Sequence, residues 1–232
     1  MNQVPESKSG MGTGPGWEPG DVASLWKAIT MEPGAGVTVV RMDGRILFAN
    51  DEIAKVVVGP EGRGAGYVGK NLSELFPREW VQERLKLLEK VVTTGQPIVV
   101  RAIWNGVQGL SWWNRVAGRR AAEGDHVLIV TRRAGGEEAL EQISPGVEVV
   151  HSNTVRLGKL GALTGRELEV LALLGNGMSI KEIASCLNRS VKTISRHRDS
   201  IGKKLVQSDR IKLAEMAWRA GLTVADAERK RV

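Results

Sequence analysis

Between Leu163 and Leu205 the chain reads "LTGRELEVLALLGNGMSIKEIASCLNRSVKTISRHRDSIGKKL", and this stretch restricts the fold more than any other. Thr164, Ser179 and Ser190 each stand immediately ahead of an apolar pattern of helical period. Thr164 with Glu167, and Ser179 with Glu182, have the spacing of a capping box, in which hydroxyl and carboxylate satisfy free amide donors of the first turn. Leu168, Leu171, Ala172 and Leu174 supply the apolar stripe of the first helix, and Gly175 to Gly177 ends it. Ile183, Ala184 and Leu187 supply the second stripe; Ile194, Ile201 and Leu205 supply the third. Asn188-Arg189 leaves room only for a tight turn between the second and third helices. A fourth helix is predicted from about Asp209 to Ala220, with Ile211, Leu213, Ala214 and Ala217 on its apolar side.

Charge separates this region from the rest. Residues 160–232 carry 14 Lys and Arg against 8 Asp and Glu, a net of +6, whereas residues 1–159 hold 19 against 18, a net of +1. A basic C-terminal module points to a polyanionic partner. Two short helices joined by a tight turn, the second of them basic, form the helix-turn-helix arrangement. A basic amphipathic helix taken alone also suits a membrane surface or a partner protein. The two capped helices ahead of Ser190 argue instead that Ser190–Leu205 belongs to a folded domain.

The same residues resemble the LuxR/GerE-type DNA-binding domain. Leu163-Thr164, Arg166-Glu167, Glu169-Val170-Leu171, Lys181-Glu182-Ile183-Ala184, Lys192-Thr193-Ile194, His197-Arg198 and Lys203-Lys204-Leu205 sit at that family's spacing. The resemblance implies that the helix from Ser190 is the recognition helix. It implies Ser195, Arg196 and Asp199 near base edges, and Lys192, Thr193, His197, Arg198 and Lys203 on phosphates. Arg196 suits guanine O6 and N7, and Asp199 suits cytosine N4. An acid at position 199 departs from the family pattern; the alternative is an ion pair with Lys203 one turn on. Lys192 and Lys204 are equally readable as solvated surface residues, and His197 as a packing residue. The single cysteine, Cys186, falls off the buried stripe of its helix, and no resolving thiol exists for a redox role.

The front of the chain has a different pattern. After a helix around "DVASLWKAI", "GVTVVRMDGRILFAND" reads as two strands joined by an Asp43-Gly44 turn. "REWVQERLKLLEKVV" is helical, with Val81, Leu85, Leu88 and Val92 on one face, and "PIVVRAIW", "LSWWNRVAG" and "HVLIVTRRA" are strands. The order is α+β, with helices inserted between strands of an antiparallel sheet. Over residues 22–134 it resembles a PAS domain, through "DGRILFAN", "GYVGKNLSELFP" and "TTGQPIVV". That resemblance implies sensing or dimerisation and a pocket between sheet and helices. The helical segment lacks the cysteine of a flavin photosensor and the histidine of a haem sensor, so the expectation is an unidentified small ligand or none. Trp112 and Trp113 are adjacent, so one of them faces the pocket side of its strand.

The expected organisation is therefore a disordered tail over 1–21, a PAS-like domain over 22–134, a linker over 135–159, an all-α helix-turn-helix domain over 160–222 and a basic tail over 223–232. The opening residues read as a tail rather than a signal peptide, and no apolar run approaches the ~20 residues of a membrane span. The linker carries a helical stretch at Glu137 to Ile143 and an apolar run at Val147 to Val150. "GAGYVGKN", Gly64 to Asn71, approximates a phosphate-binding loop but ends in Asn71 where magnesium needs a hydroxyl.

The function expected is sequence-specific transcriptional regulation by a cytoplasmic bacterial homodimer on double-stranded DNA. RNA polymerase is a further candidate partner, and a small molecule is the candidate occupant of the PAS-like pocket. No membrane partner, cofactor, metal or catalytic residue is expected, because the sequence offers no metal cluster, nucleophile–base pair or complete nucleotide motif. The front domain lacks the acidic pocket of a phosphorelay receiver. The alternatives are a sigma-like initiation factor, whose upstream helical domain the sequence does not provide, and a PAS interaction module whose basic helix binds a non-DNA partner.

Overall fold

The computed structural model describes residues 22–117, 124–136, 143 and 145–232. The expected tail over 1–21 and most of the expected helical stretch from Glu137 lie outside the described residues. Helix α1 (Val22–Met31) leads into β1 (Ala35–Arg41) and β2 (Ile46–Ala49), which pair antiparallel. The hairpin turns at Asp43-Gly44, where Gly44 has φ +86° and the Asp43 carboxylate accepts from the Arg45 N–H at 3.1 Å. Helices α2 (Asp51–Val58), α3 (Leu72–Leu75) and α4 (Arg78–Thr94) follow, then β3 (Ile98–Trp104), β4 (Val107–Val116) and β5 (His126–Arg133). Asn50 caps α2, its side chain accepting from the Ile53 N–H at 3.0 Å, and Asn71 opens α3 with a full capping box.

The loop from Gly64 is a short 3-10 turn. The Gly64 N–H donates to the Asp51 carboxylate at 2.8 Å, and a Cβ on Gly64 would stand 2.1 Å from the Ala49 carbonyl oxygen. A carboxylate occupies the amide that a phosphate would need. This explains the glycine without nucleotide binding.

Strand β6 (Glu148–Val155) adds in parallel to the outer edge of β3, and the two-residue β7 (Lys230–Arg231) adds to β6. The result is a seven-stranded sheet in the order β2-β1-β5-β4-β3-β6-β7. The apolar run at Val147 to Val150, expected in a connector, thus enters a strand, and the basic stretch over 223–232 is built into the fold. Charge and hydroxyl contacts fix β6 against α4. Glu83 accepts from the Asn153 N–H at 2.6 Å, the Ser152 hydroxyl at 2.8 Å and the Thr154 hydroxyl at 3.1 Å.

Helices α5 (Gly165–Gly175), α6 (Ile180–Cys186), α7 (Val191–Leu205) and α8 (Arg210–Arg219) form the C-terminal bundle. Its core of leucines and isoleucines includes Ile183, Ile194 and Ile201, each 0% exposed; full burial of such a side chain contributes about 1.5–3 kcal/mol. Gly175 permits the close crossing of α5 and α8, since a Cβ there would meet the Ala217 Cβ at 2.6 Å. On α8, Leu213 and Ala217 are buried as the apolar pattern requires, but Ile211 is 78% exposed. It occupies the first turn, where the Asp209 side chain takes the Ile211 N–H at 2.8 Å and the side chain points away from the core.

The bundle packs on the sheet rather than hanging from it. Residues alternate across β3: Val100, Ala102 and Trp104 line a cavity on the helix-covered face, while Ile103 joins the core of the bundle on the other. Arg101 accompanies Ile103. Its guanidinium, 0% exposed, forks onto both oxygens of Asp226 at 3.0 and 2.8 Å, and also donates to Gln108 Oε1 at 2.6 Å and to the Gly221 carbonyl. Burial pushes the Asp226 carboxyl up, but the Arg101 hydrogen bond and charge outweigh it and hold Asp226 below the ordinary carboxylate range. Gly221 takes φ +53° directly beneath the Gln108 side chain, a place with no room for a Cβ.

Candidate DNA-binding surface and ligand cavity

The bundle assembles from its caps. Thr164 Oγ1 accepts from the Glu167 N–H at 3.3 Å and Glu167 accepts from the Thr164 N–H at 2.7 Å; Ser179 and Glu182 repeat the arrangement at the same two distances. Ser190 caps α7 by accepting from the Thr193 N–H at 3.1 Å. The turn between α6 and α7 bends at Asn188, whose φ of +50° is left-handed, a conformation that asparagine tolerates better than most side chains.

Glu167 does more than cap. Its carboxylate is buried, and it accepts from the Ser200 hydroxyl and from Lys204 Nζ, both at 2.7 Å. Burial alone would raise its pKa. The hydrogen bonds from Lys204, Thr164 and Ser200 overcome that and hold it at about 2. The contact fixes α7 to α5 at its C-terminal end, so Lys204 is a structural cation.

Helix α7 divides into two faces. Ile194 and Ile201 point inward, with Leu205 packed at the edge of the core. Lys192, Arg196, Asp199 and Lys203 recur at helical spacing on the opposite side, and all four are exposed. Thr193, Ser195, His197 and Arg198 are half-buried on the flanks. Thr193 shares a hydrogen bond of 2.8 Å with the Ser190 hydroxyl. Arg198 donates to the Ser208 carbonyl at 2.9 Å and to Asp199 Oδ1 at 3.1 Å. Asp199 therefore pairs with its immediate neighbour and not with Lys203. Cys186 is exposed.

With this geometry established, the comparison with known proteins is specific. Residues 161–217 match the family described as bacterial regulatory proteins, luxR family. Over these residues the C-terminal domain is similar to the luxR family. Among curated proteins the chain is 45% identical over 60 residues to the uncharacterized response regulatory protein YgeK of Escherichia coli (strain K12), covering 26% of this chain and 41% of that one. It is 44% identical over 62 residues to the transcriptional regulatory protein LnrK of Bacillus subtilis (strain 168), covering 27% and 28%. The chain thus spans less than half the length of these relatives. Among solved structures, a Vibrio cholera VqmA–ligand–DNA complex aligns over 92% of this chain and 96% of that one, with 16% identity and a TM-score of 0.48. The PAS domain of an HTR-like protein from Haloarcula marismortui aligns over 47% and 89%, with 17% identity and a TM-score of 0.35.

The second feature lies in the N-terminal, PAS-like domain. Between sheet and helices is a cavity of about 270 Å³ whose wall includes Val40, Ile46, Phe76, Leu88, Trp104 and Trp113. Three aromatic side chains of the wall pack on one another. Phe76 stacks on Trp80 at 4.4 Å between centroids, and Trp104 meets both edge-on at 5.5 and 5.6 Å. Of the adjacent tryptophans of β4, Trp113 is the one on the cavity side. The Trp104 indole N–H donates to the Val57 carbonyl at 3.0 Å. Arg84 lies over the Trp80 ring at 4.8 Å and beside Glu83 at 3.2 Å; burial pushes its guanidinium down to about 10 against the pull of Glu83. His126 opens β5 and His151 lies in β6, and the described residues contain no cluster able to hold a metal ion.

Sequence reasoning missed Arg101 and Asp226, which lie 125 positions apart. An arginine in the middle of "PIVVRAIW" was the one available signal, since a buried strand rarely admits a charge without a partner.

Proposed function

We propose that the protein is a sequence-specific DNA-binding transcriptional regulator of the bacterial cytoplasm that works as a homodimer and senses a small molecule through its PAS-like domain. The observation that carries this reading is the exposed stripe Lys192, Arg196, Asp199 and Lys203 on a capped helix whose other face is locked into the bundle. In this reading Ser195, Arg196 and Asp199 meet base edges, while Lys192, Thr193, His197 and Lys203 hold phosphates. Arg198, spent on Ser208 and Asp199, holds the corner between α7 and α8 and orients Asp199, and it reaches phosphate from that position. A dimer sets two such helices about one DNA turn apart. RNA polymerase is the natural second macromolecular partner of a DNA-bound regulator.

Selection of bound sites from random DNA tests this reading. The expected result is an inverted or direct repeat of short half-sites. Arg196→Ala then lowers affinity for the selected site by about 1–3 kcal/mol and relaxes preference at one base pair. Enrichment of no sequence refutes the proposal, and a uniform loss in Arg196→Ala assigns Arg196 to phosphate.

A further inference from the structure

Helix α4 carries a wall of the cavity on one face and the seat of the bundle on the adjoining one. Trp80, Arg84 and Leu88 recur at one-turn spacing and line the cavity. Glu79 and Glu83, also one turn apart, serve the edge of the sheet. The Glu79 carboxylate takes Lys230 Nζ at 2.9 Å, and Glu83 takes the Asn153 N–H and the Ser152 and Thr154 hydroxyls. Lys230 lies in β7, which pairs with β6 through Thr154 opposite Lys230 and Val155 opposite Arg231. The Val232 N–H then closes onto the Val155 carbonyl at 3.0 Å. A few residues earlier in the same segment stands Asp226, the partner of Arg101 at the centre of the joint. Burial pushes the Arg229 guanidinium down while Asp226 and Glu83 pull against it, so the charge of Glu83 reaches this segment as well.

Arg84 joins the two faces. It is 4% exposed, stands over the Trp80 ring at 4.8 Å, and reaches Ser152 Oγ with both terminal nitrogens, at 3.4 and 3.3 Å. The same hydroxyl donates to Glu83 at 2.8 Å. Ser152 thus stands between a cation of the cavity wall and the carboxylate that fixes β6. Bonds of this length exceed the ~2.9–3.0 Å usual for N–H···O, and a guanidinium has five donors to place. Arg101, buried as deeply, makes side-chain contacts of 2.6, 3.0 and 2.8 Å to Gln108 and Asp226. Of the two buried arginines, Arg84 is the loosely held one. Coupling between distant sites needs an element with two available arrangements, and a loosely held cation between two faces of one helix is such an element.

We propose that Arg84 is a positioning residue that ties the cavity wall to the docking of the bundle. Seated on Ser152, it holds β6, β7 and the segment 226–231 in place; withdrawn along the Trp80 ring, it releases them and loosens the bundle from the sheet. The inference rests on the regulator reading above for its use, since it gives a change in the cavity wall a route to the DNA-binding helices. It names the contacts in order: Trp80, Arg84, Ser152, Glu83, then Asp226 and Arg101. The coupling runs in both directions, as linkage between two sites requires.

The test uses the full chain and reads each end of the route after a change at the other. Hydrogen exchange followed by mass spectrometry reads the bundle end. In Arg84→Met the amides of residues 222–232 should exchange about tenfold or more faster, while peptides from α5 and from β4 and β5 keep their parent rates and so show the variant folded. Leu88→Ala weakens the same face of α4 but removes neither partner of Ser152, and it should leave residues 222–232 at the parent rate. Nitrogen-15 spectra read the cavity end. Asp226→Asn should shift the Trp80 indole N–H resonance, assigned by its absence in Trp80→Phe; this arm stands even where Arg84→Met does not fold. Parent exchange at 222–232 in Arg84→Met overturns the proposal, and so does an unmoved Trp80 resonance in Asp226→Asn. Equal loosening of 222–232 by Leu88→Ala also overturns it, because the effect then belongs to α4 as a whole. Neither DNA nor a ligand enters these measurements, so their failure leaves the regulator reading to be judged by the selection of DNA sites.

Discussion

Replacing Arg101 by methionine removes the charge at the centre of the joint between sheet and bundle and keeps most of the apolar volume. Taking away one partner of a buried ion pair costs about 3–5 kcal/mol, because the other charge is stranded. Asp226 is not wholly stranded, since Arg229 stands 2.9 Å away and the Thr223 N–H and hydroxyl each donate at 2.8 Å. This places the carboxylate loss near the lower end, about 3 kcal/mol. The Gly221 carbonyl and Gln108 Oε1 also lose their donor, at about 1 kcal/mol each. The sum, about 5 kcal/mol, is a large part of the ~5–15 kcal/mol that holds a domain folded. It acts on the joint and on neither core. Urea unfolding followed by tryptophan fluorescence and circular dichroism should therefore change from one transition to two, with the bundle separating first. The double variant Arg101→Met, Asp226→Leu removes both charges and should regain most of the loss, as buried pairs replaced by apolar residues commonly do. A single transition in Arg101→Met, with stability within ~0.5 kcal/mol of the parent, an ordinary surface value, would refute the reasoning.

Two lysines one residue apart on α7 should behave differently. Lys203→Ala is expected to lower the salt slope of DNA binding by about 1 without changing sequence preference. Lys204→Ala should leave that slope unchanged and instead reduce stability, through its loss to Glu167, as read in thermal unfolding. Glu167→Gln tests the same contact by pH. The folded pKa of Glu167 lies at about 2 against an ordinary 4.5, so its contribution is full above about 4.5 and lost as pH falls toward 2. The parent should lose stability across that window by more than Glu167→Gln does, the difference between their pH curves being the measurement; parallel curves would remove the ion pair from the account.

The helices of the bundle were legible because each of their signals is local. Thr164 with Glu167, Ser179 with Glu182, and Ser190 state where a helix starts within four residues, and the stripes that follow state which side is buried. The Asp43-Gly44 hairpin was legible for the same reason. The opposite fate of Trp112 and Trp113 followed from the two-residue period of a strand. Contacts made between distant segments were not legible. Nothing in "VEVVHSNTV" says that it pairs in parallel with β3 rather than linking two domains, because a short apolar run serves either purpose. Ile211 satisfies the helical period yet lies exposed, since periodicity marks a face without saying whether anything covers its first turn. Asp199 had two basic neighbours within reach, and sequence spacing favoured Lys203 where the side-chain geometry chose Arg198.

The wiring of Arg101 also sets an order of events during synthesis. Strand β3 leaves the ribosome far ahead of the residues that complete its outer face, and the helices of the bundle form from contacts within their own segment. The fork onto Asp226 and the Gly221 carbonyl closes only when the chain has been made past those positions, as does the seat of Arg231 on the Gly161 and Leu163 carbonyls. At ~5–20 residues per second, the interval between Arg101 and Asp226 lasts about 6–25 s. Through that interval the guanidinium must remain hydrated, which keeps the outer face of β3 open and the two halves apart. Docking of the bundle is thus timed by translation: α7 can form early, and the placement of the bundle on the sheet comes last.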